Sequence, residues 1–224
     1  MADSREQAQD GGIGSGRLAN ILRPHGDWRH AFSYHPMDVV LERADGIYLY
    51  DRDGRRYIDA SGGPFVMNLL HNHPRMKAAI TRQLERFAYP HPTLANPARA
   101  EYGRMLAEIL PGSLNVSYLV SGGSEAVETA FKLARQAQLV RGNRDKYKII
   151  SVRDSYHGMT LAALGASHNP VSQRHFVPMI PQWPHIRQYS DFDRPAGVSR
   201  EEWGVHCAQA LETAIHYEGP QTVA

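Results

Sequence analysis

The strongest constraint on this chain is a pattern that occurs twice: an apolar run, a short turn carrying glycine, then a helical periodicity. At 118–135 it reads YLVSGGSEAVETAFKLAR, and at 149–165 it reads IISVRDSYHGMTLAALG. VSYLV (116–120) and YKIISV (147–152) have the β-rich character of strands, while Val127, Ala130, Phe131 and Ala134 recur at helical spacing. From Val116 onward predicted strands alternate with helices, which implies an α/β fold with a mainly parallel sheet. Such a sheet needs both faces covered, and ligands gather beyond the carboxyl ends of its strands. Both glycine turns should therefore lie on one edge.

Each turn has its own chemistry. The first N–H groups of a helix lack internal acceptors, and the aligned peptide dipoles place partial positive charge there. Gly122 and Gly123 would let an oxyanion approach that backbone without a Cβ in the way, and Ser124 would add a hydroxyl. The ligand suggested is a phosphate monoester at the start of the helix beginning near Glu125. Ordinary N-capping by Ser121 or Ser124 is the alternative. The dedicated nucleotide loops are excluded, since no G-x-x-x-x-G-K-[ST] occurs and no G-x-G-x-x-G follows a strand. The second turn carries Tyr156, His157 and Gly158, a flat ring beside a glycine. Together the turns suit a phosphorylated, planar, heteroaromatic cofactor. Taken alone, a Tyr-His-Gly turn favours the plainer reading, Tyr156 as a rim aromatic and His157 as a satisfied turn histidine.

The remaining chain frames these turns. Residues 1–37 read as a disordered or extended tail, and its GGIGSG follows no strand and is linker-like. GIYLYDRDGRRYIDA reads as two short strands joined across Asp53-Gly54. Met76, Ala79, Ile80, Leu84 and Phe87 mark a helix opened by Pro74; Tyr102, Met105, Leu106, Ile109 and Leu110 mark another, ended by Pro111-Gly112. After the short helix of MTLAALGAS comes a proline-broken loop, RHFVPMIPQWPHI. Val205, Ala208, Leu211 and Ile215 mark a last helix, and TVA reads as the start of a further strand. A net charge of +2 from scattered basic residues gives no nucleic-acid or membrane surface. The lone Cys207 permits no intrachain disulfide, sits within a predicted helix as an inert thiol, and points to a cytoplasmic protein.

The motifs in this order resemble the amino-terminal half of a class III aminotransferase, a pyridoxal-phosphate enzyme of fold type I. SGGSEAVETAFKLARQ is similar to that family's phosphate-cup segment and SYHG to its ring-stacking turn. GIYLYDRDGRRYIDASGG and HNHPRM resemble its amino-terminal hairpin and Gly-His-x-His-Pro box, with Leu70 standing where the box has glycine. HFVPMIPQWPHI and ALETAIHYEGPQTVA match later segments. The resemblance implies that residues 38–95 belong to the small domain and 96–224 to the first part of a large cofactor-binding domain, cut short.

It further implies that Gly123 and Ser124 bind the cofactor phosphate, that Tyr156 stacks on the pyridine, that His157 and Gly158 hold that turn, and that Glu125 supports the polar shell. Phe65 takes the place of a pocket aromatic, in a segment SGGPFVMN one residue longer than in some relatives. Leu94 to Asn96 would line the partner subunit's site in a homodimer. The Schiff-base lysine and the aspartate on the pyridine nitrogen are expected downstream. Lys77, Lys132, Lys146 and Lys148 read as surface or connecting residues, with Glu128 pairing Lys132 one turn on. No metal is implied. The activity implied is transamination from an amine or ω-amino acid to a 2-oxo acid. A decarboxylase, aminomutase or phospho-lyase on the same scaffold, or a non-catalytic fragment, are the alternatives.

Overall fold

The structure, a computed structural model, describes residues 39–91 and 93–224, so the expected tail and its GGIGSG lie outside the described residues. These residues divide into two compact units, 39–118 and 119–224.

In the first unit β1 (Leu41–Asp45), β2 (Tyr48–Asp51) and β3 (Arg56–Ile58) form an antiparallel sheet in that order. The β2–β3 hairpin is the one expected at Asp53-Gly54. Its turn is organised by Asp51, a buried carboxylate that accepts from Asp53 N (2.9 Å), Arg55 N (2.8 Å) and the Tyr57 hydroxyl (2.8 Å). β1 is unannounced by its sequence: LERAD is charged and largely exposed, and backbone pairing to β2 alone makes it a strand.

A bridge joins Gly46 to His71, whose Nε2 lies 2.7 Å from Asp59 Oδ2. Leu70, in the glycine place of the box, holds φ at +66°, a left-handed conformation that ordinarily asks for glycine. The helices are α1 (Gly62–Phe65), α2 (Pro74–Arg86) and α3 (Pro97–Ile109). Pro74 occupies the first turn of α2, and Asn96 caps α3 by accepting from Arg99 N at 3.0 Å.

VSYLV, where the chain passes from the first unit to the second, departs from expectation. Residues 114–120 make no strand, because a strand exists only through a neighbouring backbone and none of the described residues pairs with this run. α4 (Gly123–Val140) follows at once. Of YKIISV, only β4 (Ser151–Val152) is a strand, parallel to β5 (His185–Ile186). On its other side Tyr147 N and Lys148 N donate to Thr222 O at 2.8 and 2.9 Å, and Ala224 N donates to Lys148 O at 3.0 Å. TVA thus runs parallel beside it.

β5 falls at the end of the segment read as a loop, where two residues after Pro184 are too few to show alternation. α5 (Leu161–Ala166), α6 (Pro170–Gln173) and α7 (Arg200–Glu218) complete the unit. A capping box starts α7: Ser199 Oγ accepts from Glu202 N (3.1 Å) and Glu202 Oε2 from Ser199 N (2.9 Å). The buried apolar residues are Ala163, Leu164 and Ala166 of α5, Ile180, and Trp203 and Cys207 of α7. Burying the last four residues of α5, Ala163 to Ala166, anchors the chain just after the Tyr156 turn.

Candidate functional site

The site builds from the start of α4. Gly122 is its N-cap, with extended backbone at φ −168°, and no side chain caps the helix, so neither Ser121 nor Ser124 does so. Ala126 N is the first to find a helical acceptor, Gly122 O at 3.0 Å, which leaves the N–H groups of Gly123, Ser124 and Glu125 without one. Glu125 turns back, and its Oε2 accepts from Ser121 N at 2.7 Å. A Cβ built on Gly122 or Gly123 would meet nothing within 4 Å, so these glycines border open space beside bare amides.

The second turn presses on the first. Ser124 Oγ accepts from Met159 N at 3.0 Å. A Cβ on Gly158 would stand 2.5 Å from Ser124 Oγ and 3.0 Å from Ser124 Cα, and Gly158 has φ +132°, so this position requires glycine twice over. His157 N donates to Ser167 Oγ at 2.7 Å, and its ring Nε2 lies 3.1 Å from Ser155 Oγ. Ser167, 1% exposed, donates its own hydroxyl to Ala163 O at 3.0 Å. Tyr156, two peptide units and at most about 8 Å along the chain from Gly158, is 73% exposed.

Ser124, between Gly123 and Glu125, is thereby brought against Gly158 and Met159, with His157 and Tyr156 next along the chain. Phe65 ends α1, and Leu94 to Asn96 lead into α3; all four belong to the other unit, and Asn96 spends its side-chain oxygen on its cap.

Two residues at the site escaped sequence reasoning. Glu128 does not serve a pair with Lys132: its Oε1 accepts from Ala162 N (3.1 Å) and Ala163 N (3.4 Å), the first turn of α5. Its place four residues after Ser124, on the same helix face, was the available signal. Ser167 carried none. Of the lysines, Lys146 Nζ donates to Pro220 O (2.8 Å) and Val223 O (2.9 Å), and Lys148 Nζ to Glu218 O (2.9 Å) and Glu218 Oε2 (2.8 Å). Both amines are spent tying the 218–223 segment to the strand they flank.

Bare helix-start amides and a serine shared between two turns thus meet at one point, and the second turn carries the exposed Tyr156 two residues before Gly158. The family model for aminotransferase class-III matches residues 30–224. The chain belongs to the class-III aminotransferase family. Members of this family depend on pyridoxal phosphate. A probable aminotransferase of Mycobacterium tuberculosis is 34% identical over 88% of this chain and 43% of its own length. Putrescine aminotransferase of Pectobacterium atrosepticum is 36% identical over 62% of this chain and 29% of its own.

Among solved structures, an (S)-enantioselective omega-transaminase from Thermomicrobium roseum matches with a TM-score of 0.81 at 33% identity, over 93% of this chain and 46% of that one. The omega transaminase of Pseudomonas jessenii in complex with PMP gives 0.84 at 28% identity, over 95% and 47%. The class-III aminotransferase chain therefore has the fold type I architecture of these transaminases, and it spans less than half the length of these relatives. No helix among the described residues is long and apolar enough to cross a membrane.

Proposed function

We propose that this chain supplies the phosphate cup and ring-stacking turn of a pyridoxal-phosphate transaminase that moves an amino group from an amine or ω-amino acid to a 2-oxo acid. The observation that carries the reading is the contact of Ser124 with Gly158 and Met159, which sets the bare amides of one turn against the backbone of the turn that carries Tyr156. The residues present fit the cofactor. Three N–H groups at the start of an 18-residue helix meet open space bordered by Gly122 and Gly123. Ser124 Oγ accepts from Met159 N and keeps its own hydrogen for a phosphate oxygen.

Gly123, Ser124 and Glu125 would hold the phosphate by backbone donation, strengthened by the helix dipole. Tyr156 would cover one face of the ring and keep water from it. His157 and Gly158 would hold that turn against α4. Pyridoxal phosphate, when bound, supplies an electron sink for the carbon that loses its proton. None of the four lysines serves as the covalent anchor, and Lys146 and Lys148 have their amines engaged. Phe65 is assigned to the substrate pocket. An amine donor is supported by relatives named for putrescine and for omega-transamination. By the family resemblance the protein acts as a homodimer, and by its single buried cysteine in the cytoplasm.

The test is titration of the full-length protein with pyridoxal phosphate. Replacing Ser124→Asp puts a carboxylate among the amides, and loss of even one or two charge-assisted hydrogen bonds predicts affinity weaker by about 100-fold. Inorganic phosphate should compete in the wild type and fail in the variant. Unchanged affinity removes Ser124 from the cup.

A further inference from the structure

α5 is a six-residue helix whose N-cap, Thr160, makes no side-chain capping bond. Its first helical acceptor is used by Leu164 N, which donates to Thr160 O at 2.7 Å. The earlier N–H groups of Ala162 and Ala163 have no local partner, although Ala163 is fully buried. The acceptor comes from another helix: Glu128 Oε1, at 3.1 and 3.4 Å. Ser124 and Glu128 lie four residues apart on one face of α4. The first takes Met159 N and the second takes Ala162 and Ala163 N, so the stretch 158–163 is tied to that face at two points. Tyr156 is largely exposed, and its place is inherited from the backbone on either side of it.

We infer that Glu128 is a positioning residue for the cofactor site: by capping α5 from α4 it fixes where the Tyr156 ring stands relative to the phosphate-binding amides. The inference rests on the proposed role of Tyr156. Glu128 acts here through backbone donors of α5. Its carboxylate faces backbone donors, and the same helix that presents its amides to the phosphate holds the turn that presents the ring. Spacing between the two halves of the cradle is thus set by one rigid element.

The experiment uses the full-length protein. In Glu128→Ala, hydrogen exchange of a peptide covering 156–164 should speed up about tenfold, and pyridoxal-phosphate affinity should fall about tenfold, the equivalent of one lost charged hydrogen bond. Affinity for inorganic phosphate, which needs only the cup, should change less than about twofold. Glu128→Gln keeps an acceptor oxygen in place and should stay within about threefold of wild type on every readout. In a Tyr156→Ala background, Glu128→Ala should cause no further loss of pyridoxal-phosphate affinity.

A full additional loss in that background, or phosphate weakened as much as the cofactor, overturns the inference. Should Glu128→Ala fail to fold, Glu128→Gln decides alone, and a tenfold loss there overturns it. A wild type that binds no pyridoxal phosphate removes the cup reading and the role of Glu128 with it. A wild type that binds it, with Glu128→Ala unchanged in exchange and affinity, removes only the role of Glu128.

Discussion

A single methyl group at position 158 is the sharpest probe of how the two turns fit. In Gly158→Ala the new Cβ would lie 2.5 Å from Ser124 Oγ and 3.0 Å from Ser124 Cα. The hydroxyl can swing aside, at the cost of its bond from Met159 N, roughly 1 kcal/mol. The Cα cannot, because it belongs to the first turn of α4, so the 156–159 segment must lift away from the helix. The backbone adds its own cost: φ of +132° is disfavoured for any residue with a Cβ, by about 1–3 kcal/mol. Together these predict a loss of roughly 3 kcal/mol in denaturant unfolding.

Gly197→Ala is the control, since its φ is +84° but nothing lies within 4 Å of the added carbon. It should lose only the backbone share. If the lost packing moves Tyr156, pyridoxal-phosphate affinity of Gly158→Ala should fall at least about tenfold while that of Gly197→Ala holds. Equal stability losses in the two variants, with wild-type cofactor affinity in both, would refute the argument that close packing of the turns builds the site.

The first unit offers two further tests. Leu70 is 48% exposed and held at φ +66°, so Leu70→Gly removes about 1–2 kcal/mol of left-handed strain for little lost burial. After the added freedom of the unfolded chain is subtracted, a gain of roughly 0.5–1 kcal/mol should appear as a higher thermal midpoint; a clear loss counts against the strain.

The second test is acid. Burial pushes the Asp51 carboxyl up, but hydrogen bonds from the Tyr57 hydroxyl and from Arg55 and Asp53 N–H outweigh it and hold the group below its usual value. The hydrogen bond to His71 likewise holds Asp59 low. A lowered carboxylate contributes stability that is present above the ordinary value near about 4 and is lost as pH falls through the lowered one. The tyrosine circular dichroism of this unit should therefore weaken below about pH 4, less steeply in Asp51→Asn, and a stability that rises on acidification contradicts the assignment.

Interactions spanning a few residues were legible in the sequence because spacing alone encodes them. Pro74 and the periodicity behind it marked α2, Pro111-Gly112 the end of α3, and Asp53-Gly54 the β2–β3 hairpin. Elements that exist only through a distant backbone were not legible. β1 has no alternation to betray it, β5 is two residues long, and VSYLV has every mark of a strand yet pairs with none of the described residues.

The same division runs through the site. The helix start with its spare amides and the turn with its ring were determined by the sequence itself, since both follow from local backbone chemistry at Gly122–Ser124 and Tyr156–Gly158. Which acceptors close the gap between them was decided by tertiary structure. The i,i+4 rule pointed Glu128 towards Lys132, where solvent screens both charges and little is gained. The folded chain instead brings it, from 34 and 35 residues away in sequence, two otherwise orphaned N–H groups at Ala162 and Ala163. A half-buried carboxylate satisfies donors that would be left bare before it pairs with a lysine in water, and only the fold determines which donors those are.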